Sequence, residues 1–167
     1  MTSGRKILGV TGSIVLLLIV GKVGLGLMNQ PDDKTLIAEA IKEAQKAGKE
    51  GRPGGVLDFL DLPKLKVNEV EASGAAPDIS SYIKNQKPDI IFTKIEPIIT
   101  GDDARIESPA TVKIGVAMLS VEKTIPNVVI NLKKEVGHDW LIIPKRSWKI
   151  TEIRVSADDL ASLSMGN

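Results

Sequence analysis

The sequence predicts an α+β chain, in which an N-terminal transmembrane helix precedes helices packed on an antiparallel sheet of about four to five strands. Three observations lead to this prediction. One apolar run, residues 7–28, is long enough to cross a bilayer. Apolar residues then recur at helical spacing from Leu36 to Ala47, and from Asp89 onward their period changes to two. Helices followed by a run of strands are typical of α+β folds rather than of alternating β/α folds.

The run of residues 7–28 contains a single charged residue, Lys22. As a helix the run is roughly 33 Å long, and the hydrocarbon core of a bilayer is ~30 Å thick. The Lys22 side chain can reach the headgroups, so the segment indicates an uncleaved signal anchor. The anchor positions are Ile7, Ile14, Leu16, Leu17, Leu18, Ile19 and Val20. The alternative is a secretory signal peptide with a poor cleavage site at Gly24-Leu25-Gly26.

The charges that flank the apolar run predict its orientation. Arg5 and Lys6 precede the run, and Asp32 and Asp33 follow it. Because positive residues stay on the cytoplasmic side, we expect a single-pass protein of the cell membrane with its domain on the extracytoplasmic side. The predicted segments are a cytoplasmic tail at 1–6, the anchor at 7–28, the domain at 32–156 and a C-terminal tail at 157–167.

The composition excludes several classes of function. The chain has no cysteine, which rules out a disulfide framework and a lipid attached through a lipobox cysteine. Beyond residue 31 there are 19 Lys and Arg against 21 Asp and Glu, so no basic face is predicted for nucleic acid. One histidine without cysteine cannot supply a zinc site of the usual kind. We therefore expect no metal, no cofactor and no nucleic-acid partner.

The first half of the domain is predicted to be helical. The predicted helices are residues 36–47, 56–60 and 78–86. Asp32 or Asp33 can cap the first helix, and the Gly- and Pro-rich residues 51–55 end it. Residues 65–76 are predicted as a loop with a short extended piece, and Pro88 ends the third helix.

The second half of the domain is predicted to be a sheet. The predicted strands are residues 90–99, 110–118, 128–135, 140–143 and 148–155. Pro97 indicates an edge position or a bulge in the first of them. We expect turns at 101–103 and 137–139, a linker at 124–127 and an interruption at 144–146.

The order of these motifs resembles the NTF2-like superfamily. The residues that carry the resemblance are Gly101-Asp102, residues 132–137 (LKKEVG) with Trp140, and Trp148-Lys149-Ile150. It covers roughly residues 33–155 and departs from the family at Pro144-Lys145-Arg146. The resemblance implies a cystatin-like cone, in which a curled antiparallel sheet wraps around N-terminal helices. Another α+β roll is the alternative.

Membership of this superfamily leaves the function open, because its members include isomerases, dehydratases and non-catalytic scaffolds. Isomerase-type members need an aspartate base and a tyrosine in the cone. The only tyrosine is Tyr82, and the carboxylates that could join it are Asp58 and Glu96. The only histidine, His138, lies beside Asp139 in a predicted turn. We therefore predict that the domain is not an enzyme.

The remaining prediction is a non-catalytic binding or assembly module. Its partners would be the lipid bilayer, and either a protein or a small apolar ligand. The candidate pocket residues are Phe59, Phe92, Trp140 and Trp148, and the alternative is that they only fill the core. A ligand binder predicts an apolar pocket, and an assembly module predicts a filled cone with an exposed apolar patch. An isomerase- or dehydratase-like enzyme predicts a buried carboxylate or histidine with a perturbed pKa.

Overall fold

The structure is a computed structural model that describes residues 31–116, 119–139, 143–156 and 158. The predicted anchor at 7–28, with its seven anchor positions, and the tail at 1–6 lie outside these residues. Within the described ranges, every helix is too short or too polar to cross a membrane.

The chain divides into two compact units. One unit includes Val136–Arg146, where the Arg146 guanidinium donates a hydrogen bond to the Pro31 carbonyl oxygen at 3.0 Å. The other, formed by Asp33–Glu135 and Ser147–Asn167, is called the main unit below and holds the described helices and the core.

Three α-helices form one layer of the main unit. They are α1 (Asp33–Lys49), α2 (Pro53–Leu57) and α3 (Ala76–Gln86), with a 3₁₀ turn at Leu62–Lys64. Helix α1 confirms the predicted periodicity, since Ile37 and Ile41 are buried in the core. Helix α3 ends as predicted before Pro88, where Lys87 adopts the left-handed conformation and its N–H bonds to the Ile83 carbonyl.

Helix α2 begins three residues before the predicted start at residue 56. Pro53 occupies its first turn, where the fixed φ of proline suits a helix start and the missing N–H is not needed. Gly55 is required by packing, because a Cβ atom there would lie 2.6 Å from the Cβ of Ala47 on α1. The Gly- and Pro-rich residues therefore both end α1 and build the next helix against it.

The sheet has seven strands, two or three more than predicted. They are β1 (Lys66–Val67), β2 (Val70–Glu71), β3 (Asp89–Phe92), β4 (Ile98–Thr100), β5 (Asp103–Val116), β6 (Leu119–Asp139) and β7 (Ile143–Val155). Their order is β2-β1-β7-β6-β5-β3, and β4 also pairs with β5. The sheet is curled, and it is mixed rather than antiparallel because β1 runs parallel to β7. The predicted loop at 65–76 supplies the additional hairpin, β1–β2.

Residues 124–127, predicted to be a linker, belong to strand β6. Thr124 and Ile125 pair with Thr111 and Ala110 of β5, so the strand continues through this segment. The register of β5 and β6 shifts between Ser108 and Ala110, which forms a β-bulge opposite Pro126 of β6. Proline is tolerated at a bulge because no regular ladder hydrogen bond is needed there. Pairing with a long neighbouring strand thus overrides a local turn signal.

Two further breaks predicted in the sheet are wrong. Residues 137–139 belong to β6 rather than to a turn, and residues 144–146 belong to β7 rather than to an interruption. The two strands are still side by side at this point, since a Cβ on Gly137 would lie 4.0 Å from the Lys145 carbonyl oxygen. Pro144 lies near the start of β7, where the neighbouring strand β1 does not reach, since β1 pairs only with Glu152 and Ile153. Residues 140–142 of the predicted strand 140–143 lie outside the described residues.

The core lies between the helices and one face of the sheet, called the inner face. Alternate residues of the long strands supply it, together with α1 and β7: Ile37, Ile41, Ala104, Ile106, Ala110, Val128, Ile130, Leu132, Trp148 and Ile150. The opposite, outer face carries polar pairs, such as Lys113 with Glu122 at 3.1 Å and the hydroxyls of Thr111 and Thr124 at 3.2 Å.

Candidate functional site

A cavity of about 420 Å³ lies in the main unit between the three helices and the inner face of the sheet. Helix α1 contributes Ala44 and Gly48 to its wall, and α3 contributes Tyr82. The far wall is formed by residues of β5, including Ala110 and Val112, and by residues of β6 and β7. The cavity is partly open to solvent. Tyr82 in its wall is 45% exposed.

Small residues contribute to the cavity wall beside the larger aliphatic ones. Ala44 and Gly48 lie one turn apart on α1, and Ala110 lies across from them on β5. Aromatic residues make up only 3% of the chain, so few side chains could fill the space. The core is therefore well packed around Ile37 and Ile106 but leaves a hollow farther along α1.

The wall of the cavity is formed by carbon atoms. Of the described residues that line it, only Gln45 and Tyr82 have side chains with polar groups, and their polar atoms contribute almost nothing to its surface. Desolvation by burial raises the pKa of the Tyr82 phenol above its ordinary value of 10.0. The phenol is therefore neutral at physiological pH. Among the described residues, no charged side chain lines the cavity.

The structure places the four predicted pocket residues in different environments. Phe92 lines the cavity, whereas Phe59 is half-buried outside its lining. Trp148 is 2% exposed, packs in the core and is not part of the cavity lining, as the alternative of a core-filling role predicts. Trp140 lies outside the described residues.

Trp148 is held by an ion pair at the start of α1. Its indole N–H donates to Asp33 Oδ1 at 3.4 Å, and Asp33 Oδ2 lies 2.8 Å from Lys134 Nζ. Lys134 Nζ also lies 5.4 Å from the centroid of the Trp148 ring, within range of a cation–π contact. These three residues are called the Asp33 clasp. The indole N–H therefore has its hydrogen-bond partner in the core, and Trp148 stabilises the fold rather than lining the cavity.

The residues that an isomerase-like enzyme would need are not gathered at the cavity. Asp58 and Glu96 are both exposed, and Glu96 pairs with Lys94 at 2.7 Å. Asp61 is buried, but its carboxylate bonds to Lys64 Nζ at 3.1 Å and does not line the cavity. Only Tyr82 of the predicted set is in the wall. Across the described part of the chain, no group of three or more His, Cys, Asp or Glu residues is placed to hold a metal.

Sequence reasoning missed most of the cavity wall. It sought the largest aromatic residues, whereas the space depends on small residues and is lined by aliphatic ones. A usable signal was present in α1, where Ala40, Ala44 and Ala47 alternate with the large apolar residues Ile37 and Ile41. Alanine and glycine on the core face of a helix reduce the volume that fills the layer beneath it.

No protein-family model matches the chain, and no curated protein matches it. Solved structures do resemble it. A calcium/calmodulin-dependent protein kinase II association domain from Xanthomonas campestris has a TM-score of 0.52 at 16% identity, covering 73% of this chain and 86% of its own. A protein of unknown function from Mycobacterium tuberculosis has a TM-score of 0.51 at 14% identity, covering 78% of this chain and 83% of its own. An NTF2-like protein with a cystatin-like fold from Novosphingobium aromaticivorans has a TM-score of 0.48 at 14% identity, covering 78% and 88%.

The two structures with TM-scores above 0.5 show that this chain shares their fold. At such low identities the likeness shows the fold alone. The function has to be argued from the residues of the cavity.

Proposed function

We propose that the chain is a non-catalytic binding module whose NTF2-like domain encloses an apolar ligand in the cavity. The observation that carries this proposal is the carbon-lined space of about 420 Å³. Small-molecule sites are typically cavities of about 300–1,000 Å³. Water gains little there because a buried water needs two to four polar partners. An apolar ligand would bury its own surface and that of the wall together.

The charges around the cavity support a passive role. A general base or acid must lie within hydrogen-bond reach of the substrate, and no described carboxylate or histidine lines this wall. The neutral Tyr82 phenol cannot act as a base at physiological pH. Binding without chemistry is what this set of side chains supports.

An assembly module is supported less well by the surface. Ile91 and Ile98 are exposed on the outer face, at 46% and 72%. They pair with Thr111 and Arg105 of β5, which are six residues and therefore about 20 Å apart along the strand. Ile91 and Ile98 are therefore separate on this face, and single exposed apolar side chains are normal on protein surfaces.

We further propose that residues 7–28 anchor this module at the extracytoplasmic face of the cell membrane. Its support is the length of the apolar run and the positive charges of Arg5 and Lys6 before it. The domain would then meet its ligand at or near the membrane surface.

Binding of a neutral apolar fluorophore, N-phenyl-1-naphthylamine, tests the proposal. The full chain in lipid nanodiscs is titrated with the probe, with empty nanodiscs as background. We expect one saturable site per chain, and we expect Val112→Phe, which places a larger ring in the wall, to weaken binding at least tenfold. Unchanged binding by Val112→Phe, or none by the natural chain, would contradict the proposal.

Two control variants separate the cavity from other effects. Thr111→Phe adds the same ring to the neighbouring residue, whose hydroxyl faces Thr124 on the outer face, and should leave probe binding unchanged. Tyr82→Phe keeps the carbon wall and removes the hydroxyl, so it should also bind the probe normally. A large loss in Tyr82→Phe would favour the isomerase-like alternative.

A further inference from the structure

Resting on the proposed function, we infer that the ligand is a single-chain amphiphile, whose alkyl chain enters the cavity while its polar end stays outside. The distinction matters because apolar ligands differ in where they carry oxygen or nitrogen. A chain with one polar end can bury carbon alone. A polycyclic ligand with polar groups at both ends cannot.

The cavity wall is almost entirely apolar. The polar atoms of Gln45 and Tyr82 hardly contribute to the cavity surface, so a ligand hydroxyl or carbonyl inside would find no partner there. Leaving a polar group buried and unpaired offsets much of the gain from apolar burial. Within the described residues, the protein itself follows the same rule, since every buried side-chain polar atom has a hydrogen-bond partner. The ligand must therefore keep its polar end at the opening.

The volume of about 420 Å³ is large enough for an alkyl chain of several carbons and too small for one of unlimited length. Shorter chains would leave part of the wall unfilled, and longer chains would extend into solvent.

Aliphatic side chains predominate on every side of the cavity. Aliphatic side chains from α1, α3, the β1 strand and the inner face of the sheet all contribute, among them Ile41, Val67, Ile79, Val128 and Ile153. Such a surface gives no directional contact that would select one rigid shape. It discriminates by length and by the position of the polar group.

Displacement of N-phenyl-1-naphthylamine by 1-alkanols measures this selectivity on the full chain in lipid nanodiscs. We expect affinity to rise about fourfold for each added methylene and to level off once further carbons extend out of the cavity. The matched control ligand is 1,14-tetradecanediol, which has the same chain with a hydroxyl at both ends. It should bind at least tenfold more weakly than 1-tetradecanol, because one hydroxyl must enter the cavity.

The outcomes separate the two proposals. Probe binding without a rise along the alkanol series, or equal binding of the diol and the alcohol, would overturn the single-chain assignment and leave the proposed function standing. Absence of probe binding would overturn the proposed function itself. Because Val112→Phe should bind the probe weakly, its alkanol binding is measured directly by calorimetry. Val112→Phe should move the plateau to a shorter chain, whereas Thr111→Phe should not, and a plateau unmoved by Val112→Phe would contradict the assignment.

The same assay identifies the source of the chain. A lysophospholipid with one fourteen-carbon chain carries the same alkyl group on a membrane headgroup. Displacement by both compounds supports the assignment with a membrane lipid as the source. Displacement by the alkanol alone supports it with a small diffusible amphiphile as the source.

Discussion

At the scale of single residues, the Asp33 clasp joins the first turn of α1 to the sheet. The Asp33 and Lys134 side chains are 19% and 17% exposed, so their ion pair is shielded from water more than a surface pair. Trp148, which donates to the same carboxylate, is 2% exposed. Removing the carboxylate would leave an indole N–H and an ammonium group without this acceptor.

We therefore predict that Asp33→Ala lowers the free energy of unfolding by about 1–3 kcal/mol. Asp33→Asn keeps an oxygen for the indole and should cost less than Asp33→Ala. Urea denaturation of the full chain measures both. The control is Glu122→Ala, which removes an ion pair to Lys113 between side chains that are 55% and 43% exposed, and should cost at most ~1 kcal/mol. Equal costs for the clasp and the control would refute the structural role of Asp33.

The same scale shows why the candidate pocket was predicted only in part. Phe92 and Trp148 are both large, apolar and located on strands, and nothing in the sequence around them distinguishes a cavity wall from a filled core. The difference lies in what faces each residue. Phe92 lines the cavity together with small residues such as Ala110. Trp148 instead donates a hydrogen bond to Asp33 and makes a cation–π contact with Lys134. These neighbours are distant in sequence and are set by the tertiary fold.

At the scale of elements, Glu152 ties β7 to its neighbours on the outer face. Its carboxylate accepts from Asn131 Nδ2 of β6 at 2.7 Å and lies 3.0 Å from Arg154 Nε. The Arg154 guanidinium also lies 3.6 Å from Glu69 in the β1–β2 turn. The hydrogen bond from Arg154, with a further one from Asn131, lowers the pKa of Glu152 below its ordinary value of 4.5.

This lowered pKa predicts a pH-dependent stability. A carboxylate with a lower pKa in the folded state stabilises the fold above its unfolded pKa, and this contribution is lost as the pH falls through the folded pKa. Glu152→Gln should therefore be less stable than the natural chain at pH 7, and the difference should shrink as the pH is lowered below 4.5. Urea unfolding at a series of pH values measures it. A difference that stays constant in acid would show that the charge of Glu152 is irrelevant.

Elements also differ in how well the sequence predicted them. Helix α1 was predicted within a few residues because its signals are local: an apolar stripe that includes Ile37 and Ile41, and a Gly- and Pro-rich stop. Strand β6 was not, because Pro126 and Gly137 are local breakers that pairing with neighbouring strands overrides. The short hairpin β1–β2 was missed for a related reason. A strand of two residues is too short to show an alternation of apolar and polar residues. The position of β1 is instead determined by its pairing with β7.

At the scale of the whole molecule, the sequence predicts where the module works more directly than what it binds. The α+β class follows from the order of elements, and the helices packed on a sheet confirm it. The cavity does not follow, because its wall is assembled from residues of α1, α3 and several strands that are distant in sequence. The proposed anchor depends only on local hydrophobicity and flanking charge, and these can be tested without knowledge of the ligand.

The last prediction concerns this anchor. Arg5 and Lys6 precede the apolar run of residues 7–28, so the domain should lie on the extracytoplasmic side. Protease added to intact spheroplasts should then degrade the domain while a cytoplasmic marker protein survives. Replacing both cations, as Arg5→Glu with Lys6→Glu, should reduce the degraded fraction because the charge bias that retains the N-terminus is lost. Full protection of the natural chain, with degradation only after lysis, would reverse the proposed orientation. A mature N-terminus near Leu27 would identify the run as a cleaved signal peptide instead.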